Sequence, residues 1–154
     1  MASCGHSKTN FNSDAGNNAM VTKYLATYAV TLIAFLIIDG IWLGLVARNF
    51  YVQQLGSMLR QSPNFGVAGL FYAIYVVGIV VFAIVPAMNQ GSWVTAVAYG
   101  ALFGFIAYAT YDLTNLATLA GWPVVMSVVD IIWGAVLTAS VATVGYFAAR
   151  MIFN

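Results

Sequence analysis

The chain has 154 residues, 62% of them hydrophobic and only 6% charged, with a mean hydropathy of +0.90. Soluble domains carry roughly 25% charged residues, so a water-soluble fold of this composition could not cover its own surface. The formal charge of +1 comes without any Lys/Arg cluster, which excludes nucleic acid as a partner because phosphate binding needs a concentrated basic patch.

Residues 1–19, MASCGHSKTNFNSDAGNNA, are rich in Ser, Asn, Gly and Ala without an apolar period. This composition predicts a flexible polar tail, and the lack of a basic start followed by an apolar run argues against a signal peptide. Cys4 is the only cysteine, so no intrachain disulfide and no Cys-rich metal motif can form. Cys4 and His6 are two metal-capable groups on a floppy segment, a pairing read as incidental.

The rest of the chain, 20–154, reads as one all-α integral membrane domain, a four-helix bundle. A spanning helix needs about 20 apolar residues, and four runs meet that length, over about 23–47, 66–88, 93–119 and 123–152. Each run is continuously apolar, whereas a barrel strand would alternate over roughly ten residues. Between the first two lies RNFYVQQLGSMLRQSPN, whose Gln, Ser, Pro63 and Asn64 suit an interfacial loop or short surface helix. Pro86 falls near the end of the second run, where a proline costs little, and Pro123 fits the first turn of the fourth. Asn89 to Ser92 and Ala120 to Trp122 supply tight turns.

Small residues recur at four-residue spacing in Gly40 and Gly44, in Ala96, Gly100 and Gly104, and in Ala135 and Ala139. Such spacing lets helix backbones approach closely in lipid. Tyr24, Tyr28, Trp93 and Tyr146 fit an interfacial aromatic belt. Lys8, Lys23 and Arg150 fall on one side of a four-span arrangement and Arg48 and Arg60 on the other, so the positive-inside rule predicts both termini in the cytoplasm.

Three of the four acidic residues, Asp39, Asp112 and Asp130, lie inside the spans. An ionisable group at the centre of a transmembrane helix costs about 2.5–3.5 kcal/mol on insertion scales, and such residues face a bundle interior or a water-filled cavity. Asp39 precedes Arg48 by nine residues, Asp112 lies shortly before the Gly121 turn and Asp130 follows Pro123 by seven. At about 1.5 Å per residue all three carboxyls occupy one layer, roughly 10–13 Å below the first-loop side of the membrane.

Helical spacing places Trp42 on the face of Asp39, Ser127 and Trp133 on that of Asp130, and Tyr108 and Asn115 on that of Asp112. Tyr72 and Tyr75 enter from the second helix at matching depth. The expected pocket is therefore three carboxyls ringed by groups with one polar end and a largely apolar body. The spacing Asp-x-x-Trp occurs twice, at Asp39 and Trp42 and at Asp130 and Trp133, which would set two equivalent pairs across the bundle. Apart from Lys23 and Arg150 at span ends on the far side, no Lys, Arg or His lies within a span, so the acids are expected to be protonated at least in part, compensated by a metal ion or cationic ligand, or reached by Arg48 from the interface.

The segments IIDGIWLG, GLFYAIYVVGIVVFAIVP, YATYDLTNLATLAGWP and VVDIIWG resemble a family of small bacterial predicted membrane proteins, the domain of unknown function family 2177, over about Val21 to Phe153. The resemblance implies a four-helix protein of the bacterial inner membrane and supplies no activity, cofactor or catalytic residue. Three function classes follow from the residues. The acidic layer binds a proton, cation or small lipid-soluble ligand, with a homo-oligomer supplying further walls; or the chain is an accessory subunit of a larger membrane assembly; or two of the carboxyls act as acid and base on a lipid or isoprenoid. No His-Glu-x-x-His, Gly-x-Ser-x-Gly or phosphate-binding loop is present to favour the enzyme.

Overall fold

The computed structural model describes the backbone of residues 6–153 and the side chains of residues 16–153; Cys4 and the side chain of His6 lie outside them. Nine tenths of the described residues are helical, with no strand among them, and four helices among them are long and apolar enough to cross a membrane: Gly16–Val46, Phe65–Gln90, Trp93–Thr118 and Val124–Phe153. Large apolar side chains such as Leu45, Phe65 and Met151 are exposed on their outer faces, as a surface solvated by lipid requires.

The first helix, α1 (His6–Ile41), reaches back through polar residues that composition alone assigns to the tail. Once a helix is nucleated, each added residue costs little, so the spanning part can propagate outward. At its other end α1 passes into a π-helical turn, Trp42–Val46, closed by the Ala47 N–H donating to the Trp42 carbonyl at 2.7 Å. The chain then forms a two-turn helix, α2 (Arg48–Leu55), within the segment expected to lie at the interface.

The second span begins with α3 (Phe65–Ile79), capped by the Asn64 side chain accepting from the Val67 N–H. It continues through a second π-helical turn, Val80–Ile84, into α4 (Val85–Gln90). Pro86 lies four residues before the end of this span, in the first turn of α4. Its ring collides with the carbonyl four residues earlier and it donates no hydrogen bond, so the wider turn just before it absorbs the defect. Gly91, at φ 62°, ends α4 in the left-handed conformation that glycine adopts without strain, and Ser92 caps α5 (Trp93–Thr118). The last helix is α6 (Val124–Phe153).

The tightest seam joins α5 and α6, and small residues make it so. A Cβ on Gly104 would strike the Gly134 carbonyl and the Thr138 hydroxyl, and one on Gly100 would come within 3.0 Å of the Cα of Ala139. The Ala96, Gly100 and Gly104 face therefore packs as its spacing predicts. Gly40 and Gly44 do not: nothing lies within 4 Å of either, and both are exposed. Gly40 is one residue, about 100°, round the helix from inward-facing Asp39 and so points to lipid.

Two members of the expected aromatic belt also turn inward. Tyr146 is buried, and the Tyr28 hydroxyl donates to the Ala73 carbonyl on α3 at 3.0 Å, so these rings serve helix packing, while Tyr24 and Trp93 stay exposed. The core, built on Phe35, Val76, Ile79, Ile84, Leu137 and Val141, fills the space between α1, the second span and α6. Around it α5 packs on the π-helical turn Val80–Ile84 and on α4, while its backbone stays apart from that of α3 and meets it through the Phe103 and Tyr108 side chains. The second and third spans converge at that turn and part toward the first-loop side.

Candidate functional site

A cavity of about 400 Å³ occupies the space where those spans part. Its polar wall is made by α1 and α6. Asp39 on α1 accepts the Tyr72 hydroxyl at one oxygen, 2.8 Å away, and the indole N–H of Trp133 at the other, 3.2 Å away. Asp130 on α6 accepts the Tyr51 hydroxyl, which in turn accepts the Trp42 N–H at 3.3 Å. The two indoles stack, with ring centroids 4.1 Å apart and planes 9° apart. The two Asp-x-x-Trp segments therefore pair crosswise, each tryptophan serving the acid of the other helix, Trp42 doing so through Tyr51.

Asp130 is 6% exposed and lines the cavity. Its second oxygen has no hydrogen-bond partner among the described residues and is not sealed from solvent-sized access. Every group bonded to Asp39 and Asp130 is neutral, and Arg48, the nearest cation in sequence to Asp39, is exposed and bonds to neither acid. Among the described residues no three His, Cys, Asp or Glu side chains lie close enough together to hold a metal ion.

The remaining walls are aromatic. Tyr75, Tyr108, Tyr111 and Phe71 line the cavity with Leu43 and Ala107. The Tyr75 hydroxyl is engaged with Thr138 at 2.9 Å, whereas Tyr108 has no hydrogen bond among the described residues. A Cβ on Gly134 would run into the Tyr108 ring, so this glycine lets the tyrosine lie flat against α6 and leaves the volume in front of it open. Of the predicted site residues, Asp39, Tyr72, Tyr75, Tyr108, Asp130 and Trp133 thus surround one space, with Trp42 stacked behind Trp133.

Asp112, Ser127 and Asn115 do not line it. Asp112 is fully buried and both its oxygens lack a hydrogen-bond partner. Ser127, also buried, accepts the Trp122 N–H at 3.0 Å, and both sit beside Asp112. Asn115 lies a turn further on, where its backbone carbonyl caps the end of α5. The three acids share a depth, but Asp112 is rotated away from the cavity.

Sequence spacing did not point to Tyr51, because α2 lies outside the spans and folds back to deliver it. The available signal was the aromatic pair Phe50 and Tyr51 within an otherwise polar connection. Burial, followed by the hydrogen bond to Asp130, holds the Tyr51 phenol above its ordinary pKa, with the Trp42 N–H pulling the other way. Tyr51 therefore stays a neutral donor at physiological pH, suited to fixing the Asp130 carboxyl and tethering α2 over the cavity.

A family model described as a predicted membrane protein, DUF2177, matches residues 24–147. No curated protein and no solved structure matches the chain. The chain belongs to the DUF2177 family of predicted membrane proteins.

Proposed function

We propose that this membrane protein binds a small lipid-soluble ligand with a cationic or hydrogen-bond-donating end, its polar end at Asp130 and its apolar body against the tyrosines. The observation that carries the reading is the free oxygen of Asp130 on the wall of an aromatic cavity whose two carboxyls have only neutral partners. Ligand pockets combine mostly apolar walls with a few fixed polar groups, and a cation entering such a site gains from both carboxyls. The gap between α3 and α5 supplies a lateral way in from the bilayer.

The same reading puts the protein in the bacterial inner membrane with both termini cytoplasmic. In support, Lys23 reaches the Phe153 carbonyl at 3.4 Å, so the start of the first span and the end of the fourth share one side, the side richer in Lys and Arg. A membrane-impermeant maleimide should then fail to label Cys4 in intact cells, and efficient labelling would reverse the orientation.

The binding test uses the full chain in nanodiscs and the fluorescence of Trp133, which lines the cavity. Hexylamine should alter that emission saturably, hexanol more weakly, and Asp130→Asn should weaken the amine by about tenfold or more, the range of a charge-assisted hydrogen bond. Equal response to amine and alcohol, unchanged by Asp130→Asn and Asp39→Asn, would overturn the reading.

A further inference from the structure

The aromatic wall of the cavity has a second side. Phe71 and Tyr75 also belong to a second hollow of about 490 Å³ that continues along the outer face of α3 as far as Phe82, with Phe103 of α5 on its far side. Its lining has no charged side chain, and Ile74, Val77 and Val81 present exposed apolar surface along it. From Phe71 to Phe82 is eleven residues, a rise of about 16 Å along the helix. Since α3 starts on the first-loop side, this groove runs from the carboxyl layer toward the middle of the bilayer, the direction a lipid chain takes.

Gly78 seats the Phe103 ring that forms one side of the groove. The Phe103 ring lies across the glycine, so that even a methyl group there would meet the ring edge at 3.0 Å or closer, and Phe103 is held in that place by Tyr75 and Phe82, at 5.2 and 5.7 Å between centroids. Any larger residue at 78 would displace the ring and fill the hollow. Polar recognition at one end and an open apolar track at the other are the two halves of an amphiphile site.

We propose that the natural ligand is a single-chain amphiphile with a protonated amine head, bound with its head at Asp130 and its hydrocarbon chain in the groove between α3 and Phe103. This rests on the cavity reading above and names its ligand class. The adjacency of the two hollows, which share Phe71 and Tyr75 in their linings, and the match of a cationic head to carboxyls that have only neutral partners, carry it.

The experiment uses the full chain in nanodiscs and a dodecylamine bearing a diazirine at the end of its chain. Photolabelling should fall on Ile74, Val77, Val81 and Phe103, and should be suppressed at least about tenfold by excess dodecylamine but not by dodecanol. Gly78→Leu should abolish that labelling while hexylamine still alters Trp133 emission in an Asp130-dependent way. If the Leu variant does not fold, Phe103→Ala replaces it, shifting the adducts to residues the ring had covered. Labelling spread over all lipid-facing helices, or insensitive to competing amine while hexylamine still binds, overturns the groove and leaves the cavity reading standing. Failure of hexylamine as well overturns both.

Discussion

Trp42 and Trp133 stack face to face at 4.1 Å; Trp133 donates its N–H to Asp39 on the other helix, and Trp42 donates to Tyr51, which in turn bonds Asp130. This one pair joins the first and last spans at the depth where both are polar. A stacked aromatic pair contributes about 0.5–1.5 kcal/mol beyond its area burial, and each N–H bond about 1 kcal/mol net. A double-mutant cycle with Trp42→Leu and Trp133→Leu, read by reversible unfolding in detergent, should give a coupling energy of about 1 kcal/mol or more. Additive losses would mean that the stacking is incidental.

Tyr51 supplies the hold of α2 on the bundle, and its protonation makes that hold depend on pH. Its folded-state pKa lies above that of the unfolded chain, so the proton is bound more tightly when folded. The stabilisation is fully present below about pH 10, the ordinary tyrosine value, and is lost as pH rises from there through the folded pKa. Hydrogen exchange of the α2 amides should stay slow to about pH 10 after correction for the intrinsic rate, then quicken. In Tyr51→Phe these amides should exchange fast at every pH. Protection of α2 that is indifferent to both pH and the substitution would remove Tyr51 from this role.

Intramembrane charge is expensive, so Asp39 and Asp130 stand out in the sequence, and helical spacing alone puts Trp42 and Trp133 beside them. Depth is legible in the same way, because rise per residue is constant. Rotation about each helix axis is not: Asp112 sits at the right height yet points into the α5–α6 seam, and Gly40 and Gly44 face lipid. The π-helical turns at Trp42–Val46 and Val80–Ile84 add a residue to a turn and break the 3.6-residue count that such placement relies on. Tyr51 was beyond reach for a different reason, since its contact with Asp130 spans 79 residues and depends on how α2 folds back.

The small residues of the spans should separate cleanly by mutation. Gly104→Ala places a methyl group against the Gly134 carbonyl and Thr138 and should cost about 1–3 kcal/mol by overpacking. Gly40→Ala, with nothing within 4 Å, should gain about 0.5–1 kcal/mol by lowering the entropy lost in helix formation. Thermal unfolding of the two variants in the same detergent gives the comparison. Similar shifts of one sign would mean that the α5–α6 seam is looser than its backbone contacts imply.

Asp112 offers the sharpest test of what the buried acids are for. Both its oxygens are buried without a partner, and leaving a buried polar group unsatisfied costs about 1–3 kcal/mol. An apolar residue of similar volume in place of such an unpartnered group removes that cost. Asp112→Val should therefore raise the unfolding temperature. Hexylamine binding at Asp130 should persist, since Asp112 is outside the cavity. Asp130→Val should behave oppositely on the second count, abolishing the amine response, because its free oxygen faces the ligand space. A destabilised Asp112→Val would show instead that this carboxyl has a hydrogen-bonding role in the folded protein. Ser127, whose hydroxyl accepts from Trp122 and can still donate, is the first partner to examine, through a cycle with Ser127→Ala.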